Sequence, residues 1–326
     1  MTKGLVLGKF MPLHKGHLAL FAFAASQCDE LVILLCHTEN EIITGDIRAA
    51  WLKEETKTLS NATFISFLYD EAELPNTSVS SKEVSLQWSK AIEQLVPGVD
   101  IIFSSELYGD YLATFLNSKH IVFDTARKIV PVSASAILAH PLLNWDFIAD
   151  AAKPFFVKKI VLLGTESTGK STLTMRLAAH FKTSFVPEMA RDILEKTEDC
   201  QPHHLVAIAA LHAKEIVRQT ANAKGLLFID TDINITRSYS QYLFKEVLQV
   251  EHWIEEVNKA DLYIFLEPDC PFVQDGTRLP VDEREQLSLF HKQQLKQTGI
   301  AYFSVCGNWD ERFDSACSII RDHFKI

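Results

Sequence analysis

Two short apolar runs, each ending in glycine and leading into a helix-like segment, constrain the fold most strongly. Residues 4–8 read GLVLG and residues 159–164 read KIVLLG. A buried strand that passes through a glycine turn into a helix is typical of the first unit of a doubly wound α/β domain. Because the pattern occurs twice, the sequence predicts two such domains.

Further apolar runs follow each of these starting points and alternate with helical patterns. After the first they are residues 30–36 and 100–104, with helices expected at 49–59 and 84–95. After the second they are residues 183–186, 225–230, 260–266 and 300–305. Continuous apolar strands are buried on both faces, which is typical of parallel sheets. We therefore expect an α/β fold of two doubly wound parallel-sheet domains, residues 1–152 and 153–326, with the boundary near Pro154.

Composition and charge narrow the class of protein. The chain has 326 residues, of which 47% are hydrophobic and 23% charged, as in ordinary globular proteins. Its 32 Lys and Arg against 42 Asp and Glu give a net charge of −10, so a general nucleic-acid binder is not expected. Six scattered cysteines without a CxxC pair indicate reduced thiols. The apolar stretch 18–28 is too short to cross a bilayer. We expect a cytoplasmic protein without membrane insertion, and the sequence leaves a homo-oligomer open.

Residues 164–171, GTESTGKS, fit the phosphate-binding pattern GxxxxGK[ST] between a strand and a helix expected at 172–181. Backbone amides and the helix N-terminus can surround a triphosphate there. In this arrangement Lys170 reaches the β- and γ-phosphate oxygens and Ser171 binds Mg²⁺. The predicted ATP-binding residues of this segment are Gly164, Glu166, Ser167, Thr168, Gly169, Lys170, Ser171 and Thr172.

Acidic residues stand at the ends of two neighbouring strands. Asp230 and Asp232 follow the run 225–230, at the edge where open α/β sheets bind ligands. Asp230 is the predicted Mg²⁺ residue, together with Ser171. Either Asp232 or Glu188, which follows the run 183–186, could accept a proton from a substrate hydroxyl. Glu188 could equally form a surface pair with Arg191.

A polar stretch after residue 274 contains Arg278 and Arg284, before a helix expected to begin near Gln286. Such a stretch suits a lid that brings arginine onto the transferring phosphoryl group, with a solvated loop as the alternative. The HRD and DFG segments of protein kinases are absent from the sequence. The second half is therefore predicted to be a small-molecule phosphotransferase.

Residues 8–17, GKFMPLHKGH, place two histidines at the start of a helix after the first strand. Imidazoles three residues apart at a helix N-terminus can face one anion, and Gly16 allows the backbone to approach it closely. No third metal-ligating residue stands at a suggestive spacing, so a metal site is less favoured. His14 and His17 are the predicted catalytic residues of this half. Gly8, Lys9, Phe10 and Gly16 are the expected nucleotide-binding residues beside them.

This GxFxPxHxGH string resembles the HIGH-type nucleotidyltransferases, which transfer AMP or CMP onto a phosphate. The resemblance implies a Rossmann-like first domain in which His14 and His17 stabilise the reacting α-phosphate. Joined to a P-loop kinase domain, the string resembles the bifunctional NadR family over nearly the whole chain. Further matching segments are residues 88–91, 102–106, 145–148, 154–156, 228–232 and 275–278.

The resemblance supplies substrates and cofactors. That family pairs a nicotinamide mononucleotide (NMN) adenylyltransferase with a ribosylnicotinamide kinase. It implies ATP and Mg²⁺ as cofactors, nicotinamide riboside and NMN as small-molecule substrates, and NAD as product. Longer members of the family also carry an N-terminal helix-turn-helix that represses transcription, and we expect none before Gly4.

One departure from the family pattern concerns the end of the first domain. Where the family has a segment like ISxTxIR, residues 132–138 read VSASAIL. Ser133 and Ser135 keep their hydroxyls, but Leu138 stands in place of an arginine that holds the ATP pyrophosphate. A charge-assisted contact of that kind contributes roughly 1.5 to 3 kcal/mol, or about one to two powers of ten in rate. Four cations are candidates for compensation: Lys9, Lys15, Arg48 and Arg127.

Three functions therefore remain open from the sequence. The leading one is a bifunctional enzyme of NAD salvage. In the second, only the kinase is active and the first domain is a weak or inactive nucleotide-binding module. In the third, the chain is a regulatory sensor that binds ATP or NAD. Trp88, Trp145, Trp253 and Trp309 are candidates for stacking on a nicotinamide ring, although most large aromatic residues belong to the core.

Overall fold

The computed structural model describes residues 1–75, 81–194, 200–271 and 281–326, without the side chains of Arg191, Val281 and Asp282. The chain divides into two compact units, Met1–Phe155 and Phe156–Ile326. Each unit is an α/β structure built on its own parallel sheet. Within the described ranges, no helix combines the length and the apolar character that a membrane crossing needs.

The first unit contains a five-stranded parallel sheet with the strand order β3-β2-β1-β4-β5. Its strands are β1 (Lys3–Gly8), β2 (Glu30–His37), β3 (Ala62–Leu68), β4 (Ile101–Ser104) and β5 (Lys119–Val122). Its helices are α1 (Lys15–Ala25), α2 (Gly45–Glu55), α3 (Lys82–Leu95), α4 (Tyr108–Leu116) and α5 (Ala134–Ala139). Short 3₁₀ turns follow at Trp145–Phe147 and Asp150–Ala152, and the unit boundary falls within α6 (Lys153–Phe156).

Strand β1 lies at the centre of this sheet, where Leu5 pairs with Val32 on one side and with Ile102 on the other. All three side chains are buried, as continuous apolar strands require. The chain order reverses between β1 and β4, and ligands of doubly wound sheets bind outside the carboxyl ends of the strands at such a point. The histidine segment follows β1 directly, so the fold places it at this crevice.

The second unit contains a five-stranded parallel sheet with the order β10-β9-β6-β8-β7. Its strands are β6 (Lys158–Leu163), β7 (Phe185–Val186), β8 (Leu226–Asp230), β9 (Leu262–Leu266) and β10 (Phe303–Val305). Its helices are α7 (Lys170–His180), α8 (Pro202–Thr220), α9 (Ile233–Phe244), α10 (His252–Val257), α11 (Val281–Gln297) and α12 (Trp309–Phe324), with a 3₁₀ turn at Ala190–Asp192.

Central strand β6 pairs with β8 and β9, and the segment 164–169 leaves its carboxyl end. Leu162 pairs with both Asp230 and Ile264, so the end of β8 lies beside the start of this loop. Asp230 is the last residue of β8, and Glu188 follows the edge strand β7. The parallel arrangement therefore gathers the predicted phosphate loop and the predicted acidic residues at one sheet edge.

The predicted fold class, two doubly wound parallel sheets, is confirmed. The edge strands β3 and β5 of the first sheet were not predicted, whereas the runs 183–186 and 300–305 located the edge strands β7 and β10 of the second sheet. Thr63, Ser66 and Leu68 of β3 are exposed, and β5 is a short strand with exposed ends.

Two predicted helix boundaries are wrong. Helix α2 spans Gly45–Glu55 rather than 49–59, because Asp46 favours the helix N-terminus and the helix ends before Thr56. Helix α11 begins at Val281 rather than near Gln286. From the sequence, the acidic residues 282–283 are assigned to a loop. Acidic residues also stabilise a helix N-terminus, because they interact favourably with the positive end of the helix dipole.

Candidate active sites

A cavity of about 470 Å³ lies at the carboxyl ends of β1 and β4 in the first unit. Both predicted histidines line it, as do Gly8, Lys9, Phe10 and Gly16 from the same segment. Its other walls come from β4 and the loop after it, from α3, and from the loop between β5 and α5. Those residues include Ser81, Ser85, Trp88, Ser104, Glu106, Tyr108, Asp124 and Arg127.

The two imidazoles stack, with ring centroids 3.7 Å apart, at the N-terminus of α1. His14 caps the helix, because its Nδ1 accepts the backbone N–H of Gly16 at 3.1 Å. In turn the backbone N–H of His14 donates to Nδ1 of His17 at 3.4 Å. With both Nδ1 atoms accepting, each ring carries its proton on Nε2. The pair therefore presents two N–H donors, a suitable arrangement for an anion such as a phosphate.

Both imidazoles are neutral at physiological pH. Burial, together with the positive charge of Arg127, lowers the pKa of His14 to about 4. Burial, the neighbouring His14 and Arg127 hold the pKa of His17 well below its usual value. These histidines can therefore act as hydrogen-bond donors without carrying a positive charge in the free protein.

At position 16, next to this pair, a residue larger than glycine does not fit. A Cβ at Gly16 would lie 2.8 Å from Cε1 of His14, which real contacts do not allow. Phe10 supports the other ring, with its centroid 5.1 Å from that of His17 in an edge-to-face contact. The spacing of the motif thus fixes the orientation of both imidazoles.

The serines of the segment 132–138 lie at the start of α5. Ser133 caps this helix by accepting the backbone N–H of Ala136 at 3.1 Å, and its hydroxyl lies 3.0 Å from that of Ser135. Leu138 is half-buried farther along α5. From this segment, the described cavity wall includes Val132 and Ala134.

Aromatic residues form part of the cavity wall. Trp88 packs edge-to-face on Tyr69 with centroids 4.9 Å apart, and its indole N–H donates to the carbonyl of Pro75. Tyr108 donates to the carbonyl of Leu7. Sequence reasoning named Trp88 only as one of several tryptophans, because nothing local distinguishes a cavity tryptophan from a core one.

The second site lies at the carboxyl edge of the other sheet, in a cavity of about 460 Å³. Residues 164–172 line it, with the exception of Thr165, whose side chain is buried. The loop needs left-handed backbone at Gly164 (φ 144°), Ser167 (φ 57°) and Gly169 (φ 85°). A Cβ at Gly164 would also lie 2.8 Å from the carbonyl oxygen of Leu266. These glycines let the loop wrap closely around a ligand.

The charged and hydroxyl groups of the motif lie at the start of α7. Lys170 begins α7 and donates to the carbonyl of Thr165 at 2.8 Å. The hydroxyl of Ser171 donates to Oδ2 of Asp230 at 2.5 Å. A hydroxyl and a carboxylate oxygen this close are hard ligands of the kind Mg²⁺ prefers, with phosphate and water completing its shell.

Two buried arginines hold the phosphate loop by donating hydrogen bonds to its backbone carbonyls. Arg312 on α12 donates to the carbonyls of Thr168, at 2.7 Å, and Glu267, at 3.0 Å. Arg284 on α11 donates to the carbonyls of Ser167, at 3.1 Å, and Cys270, at 2.9 Å. Arginines holding the loop carbonyls from outside leave the loop amides available to a ligand. Sequence reasoning missed Arg312, and it predicted a lid role for Arg284, whose side chain is buried in the first turns of α11.

A smaller cavity of about 100 Å³ adjoins the loop cavity and contains the acidic residues. Its polar lining residues include Glu166, Glu188, His212, Asp230, Asp232 and Tyr239, and Leu194, Leu205 and Ile208 are among its apolar ones. Of the two candidate bases, Glu188 lines both this cavity and the loop cavity. The phenol of Tyr239 donates to Glu166 at 3.4 Å. The alternative pairing of Glu188 with Arg191 lies outside the described side chains.

Asp232 serves a structural purpose in the same cavity. Its carboxylate caps α9 by accepting the backbone N–H groups of Asn234, at 3.0 Å, and Ile235, at 3.3 Å. Complete burial raises its pKa to about 6, against these hydrogen bonds. A carboxylate already occupied as a cap is less available as a base than Glu188. Arg278, the predicted lid residue, lies outside the described residues.

Comparisons with known proteins agree with this architecture. The model of a family described as an AAA domain matches residues 159–312. The "Trifunctional NAD biosynthesis/regulator protein NadR" of Escherichia coli K12 is 30% identical over 349 residues, covering 98% of this chain and 83% of that protein. The "Nicotinamide-nucleotide adenylyltransferase" of Pyrococcus abyssi is 25% identical over 168 residues, covering 49% of this chain and 84% of that protein.

Solved structures show the same fold over the full length. A NadR protein in complex with NR matches with a TM-score of 0.77 at 20% identity, covering all of this chain and 96% of that one. A NadR protein in complex with NAD and AMP-PNP matches with a TM-score of 0.75 at 21% identity and the same coverage.

Fold, loop and relatives together define an ATP-dependent transferase. The identity and coverage of the Escherichia coli relative show that the chain belongs to the NadR family. The resemblance inferred from the GxFxPxHxGH string and the P-loop is thereby confirmed.

Proposed function

We propose that the protein is a bifunctional enzyme of NAD salvage. Its second unit transfers the γ-phosphoryl group of ATP to nicotinamide riboside, and its first unit adenylylates the resulting NMN to NAD. One observation carries the proposal: a single chain of the NadR family holds a P-loop with its Ser171–Asp230 pair in one unit and two Nε2–H imidazoles facing a cavity in the other. The functions of its relatives, NAD biosynthesis and nicotinamide-nucleotide adenylyl transfer, support the same assignment.

In the kinase step, Glu188 takes the proton of the riboside 5′-hydroxyl, whose oxygen attacks the γ-phosphorus. The bond from that phosphorus to the bridging oxygen breaks, and ADP leaves with the electron pair. Lys170 and the loop amides stabilise charge on the phosphate oxygens. Ser171 and Asp230 would hold Mg²⁺, which neutralises phosphate charge when bound.

In the adenylyl transfer, a phosphate oxygen of NMN attacks the α-phosphorus of ATP and pyrophosphate leaves. Nε2–H of His14 and of His17 donate to the α-phosphate oxygens, which gain charge as the fifth bond forms. The imidazoles need no proton transfer for this role. Trp88 and Tyr69 provide aromatic surface in the same cavity, where a flat base or a nicotinamide ring can stack.

A chromatographic assay tests both activities at once. Purified protein is incubated with Mg-ATP and either nicotinamide riboside or NMN, and ADP, pyrophosphate and NAD are followed. Conversion of riboside to NAD through NMN supports the proposal. If neither substrate is consumed, the proposed substrates are wrong.

Leu138 favours a second candidate, in which only the kinase is active and the first unit binds nucleotide without turnover. The apolar side chain stands where the family pattern has a cation. Riboside would then stop at NMN with ADP released, and NMN would give no pyrophosphate. A sensor without either activity would bind ATP or NAD but release no product from either substrate.

A further inference from the structure

The first unit must hold a triphosphate without the arginine that Leu138 replaces, and the structure distinguishes among the cations that could compensate. This inference rests on the adenylyl transfer proposed above. Among the described residues lining the cavity, Lys9 and Arg127 are the Lys or Arg side chains. Lys15 and Arg127 are both exposed, but the described cavity lining contains Arg127 and not Lys15.

Arg48 is committed elsewhere. Its side chain is fully buried, pairs with Glu41, and donates to the carbonyl of Lys9 at 2.6 Å. Lys9 lies 3.1 Å from Glu41, which it shares with Arg48, and 3.4 Å from Glu71, so two carboxylates offset the charges of these two cations. Neither residue therefore brings an unmatched positive charge to the cavity.

Arg127 differs from both. It stands on the loop between β5 and α5 and lines the cavity together with the two histidines. Its positive charge lowers the pKa of both imidazoles, because the guanidinium faces the same cavity as the two rings. Within the described part of the chain, its side chain has no ion-pair or hydrogen-bond partner, which sets it apart from Lys9 and Arg48.

The loop that carries Arg127 is tightly built. The carboxylate of Asp124 accepts the backbone N–H groups of Lys128, at 2.7 Å, and Ile129, at 2.9 Å. The backbone N–H of Arg127 donates to the carbonyl of Asp124 at 2.8 Å. Arg127 itself adopts φ 50°, a conformation that non-glycine residues keep only when the surroundings impose it. Asp124 is thus occupied in holding the loop that presents Arg127.

We propose that Arg127 takes the place of the missing motif arginine and binds the β- and γ-phosphates of the nucleoside triphosphate whose α-phosphate the histidines hold. A guanidinium binds such oxygens with two parallel hydrogen bonds. During the reaction one P–O bond forms to NMN and one breaks to the bridging oxygen. Pyrophosphate leaves with the bonding electron pair, and Arg127 stabilises the charge that it gains.

The test compares Arg127→Gln with the matched control Lys128→Gln, which removes an exposed cation from the same loop. We expect kcat/KM for ATP in NAD formation to fall by about 10- to 100-fold in Arg127→Gln, and to stay unchanged in Lys128→Gln. Riboside phosphorylation in the same preparations reports on the second unit and should not change, and thermal unfolding followed by circular dichroism checks that the first unit is folded in both variants. Equal losses in both variants, or no loss in Arg127→Gln, would overturn the proposal.

A rescue variant gives a readout that a structural role would not produce. The double variant Arg127→Gln/Leu138→Arg should form NAD at least about tenfold faster than Arg127→Gln alone, because Leu138→Arg supplies the arginine of the family pattern. Leu138→Arg alone should give little gain, because Arg127 already provides this charge. A large gain from the single variant, with none in the double variant, would contradict the assignment.

Failure of the proposed activity is separable from failure of this inference. If the unaltered protein forms no NAD, binding of inorganic pyrophosphate is measured by calorimetry in Lys170→Ala, where the P-loop is disabled. Arg127→Gln in that background should raise the Kd at least about tenfold. An unchanged Kd would reject the role of Arg127 whatever the first unit catalyses.

Discussion

The two units present anion-binding groups in different ways. In the second unit the backbone of residues 164–169 forms the cradle, and the buried Arg284 and Arg312 hold its carbonyls from outside. In the first unit two side chains, His14 and His17, supply the donors, and each is oriented by a backbone N–H at Nδ1. A backbone cradle depends on glycines and local strain. A side-chain cradle depends on the residues that distant loops bring to it.

Removing the loop lysine should have the largest effect and should separate the two sites. We expect Lys170→Ala to lower riboside phosphorylation by about three powers of ten, because the charge on the transferring phosphoryl group loses its main cation. NMN adenylylation should remain within about twofold. Both rates are measured on one preparation, and loss of both in a folded variant would mean that the sites are not independent.

Removing a histidine should have the converse effect. His17→Ala is expected to lower NAD formation from NMN by about 10²- to 10³-fold, the usual cost of one donor to a developing oxyanion. Riboside phosphorylation should not change. The matched control is His252→Ala, whose side chain is 86% exposed. A similar loss in this control would show that the effect is not specific to the cavity.

Substitutions of Glu188 and Asp232, the two acidic candidates in the second unit, should differ in whether they affect rate or stability. We expect Glu188→Gln to lower kcat for riboside phosphorylation by about 10²-fold with little change in stability. Asp232→Ala should change the rate less and should cost about 1 kcal/mol of stability, because the cap of α9 is removed. Steady-state kinetics and urea unfolding of both variants distinguish the two roles. The reverse pattern would make Asp232 the base.

The smallest expected effect concerns His14, whose imidazole should not titrate near pH 6.5. The pKa of His14 lies at about 4, below its usual value, so its neutral form contributes stability above a pH of about 6.5 that is lost as the pH falls toward 4. In the free protein its Cε1–H NMR signal should therefore stay constant from about pH 8 to about pH 5.5. His14→Gln assigns the signal. A midpoint near 6.5 would show that the imidazole is not desolvated.

Local patterns carried much of the prediction. Continuous apolar runs located the central strands β1, β2, β6, β8 and β9, because strands buried on both faces need no partner information to be recognised. The P-loop and the histidine segment were recognised because their chemistry lies within ten residues. The edge strands β3 and β5 and the start of α11 were missed or misplaced. The apolar pattern of an edge strand depends on which of its faces other elements cover. An acidic run can begin a helix rather than a loop because it interacts favourably with the helix dipole.

By itself the sequence determined the two parallel-sheet units, the phosphate loop and the paired histidines, which follow from short spacings and strand burial, and the resemblance of these motifs indicated the family. Only the tertiary structure decided which charges serve which site. It buried Arg48 against Glu41, turned Arg284 and Arg312 onto loop carbonyls, and placed Arg127 beside the imidazoles. The reason is physical: the role of a charged side chain depends on its partners and its burial, and residues far apart in the sequence set both.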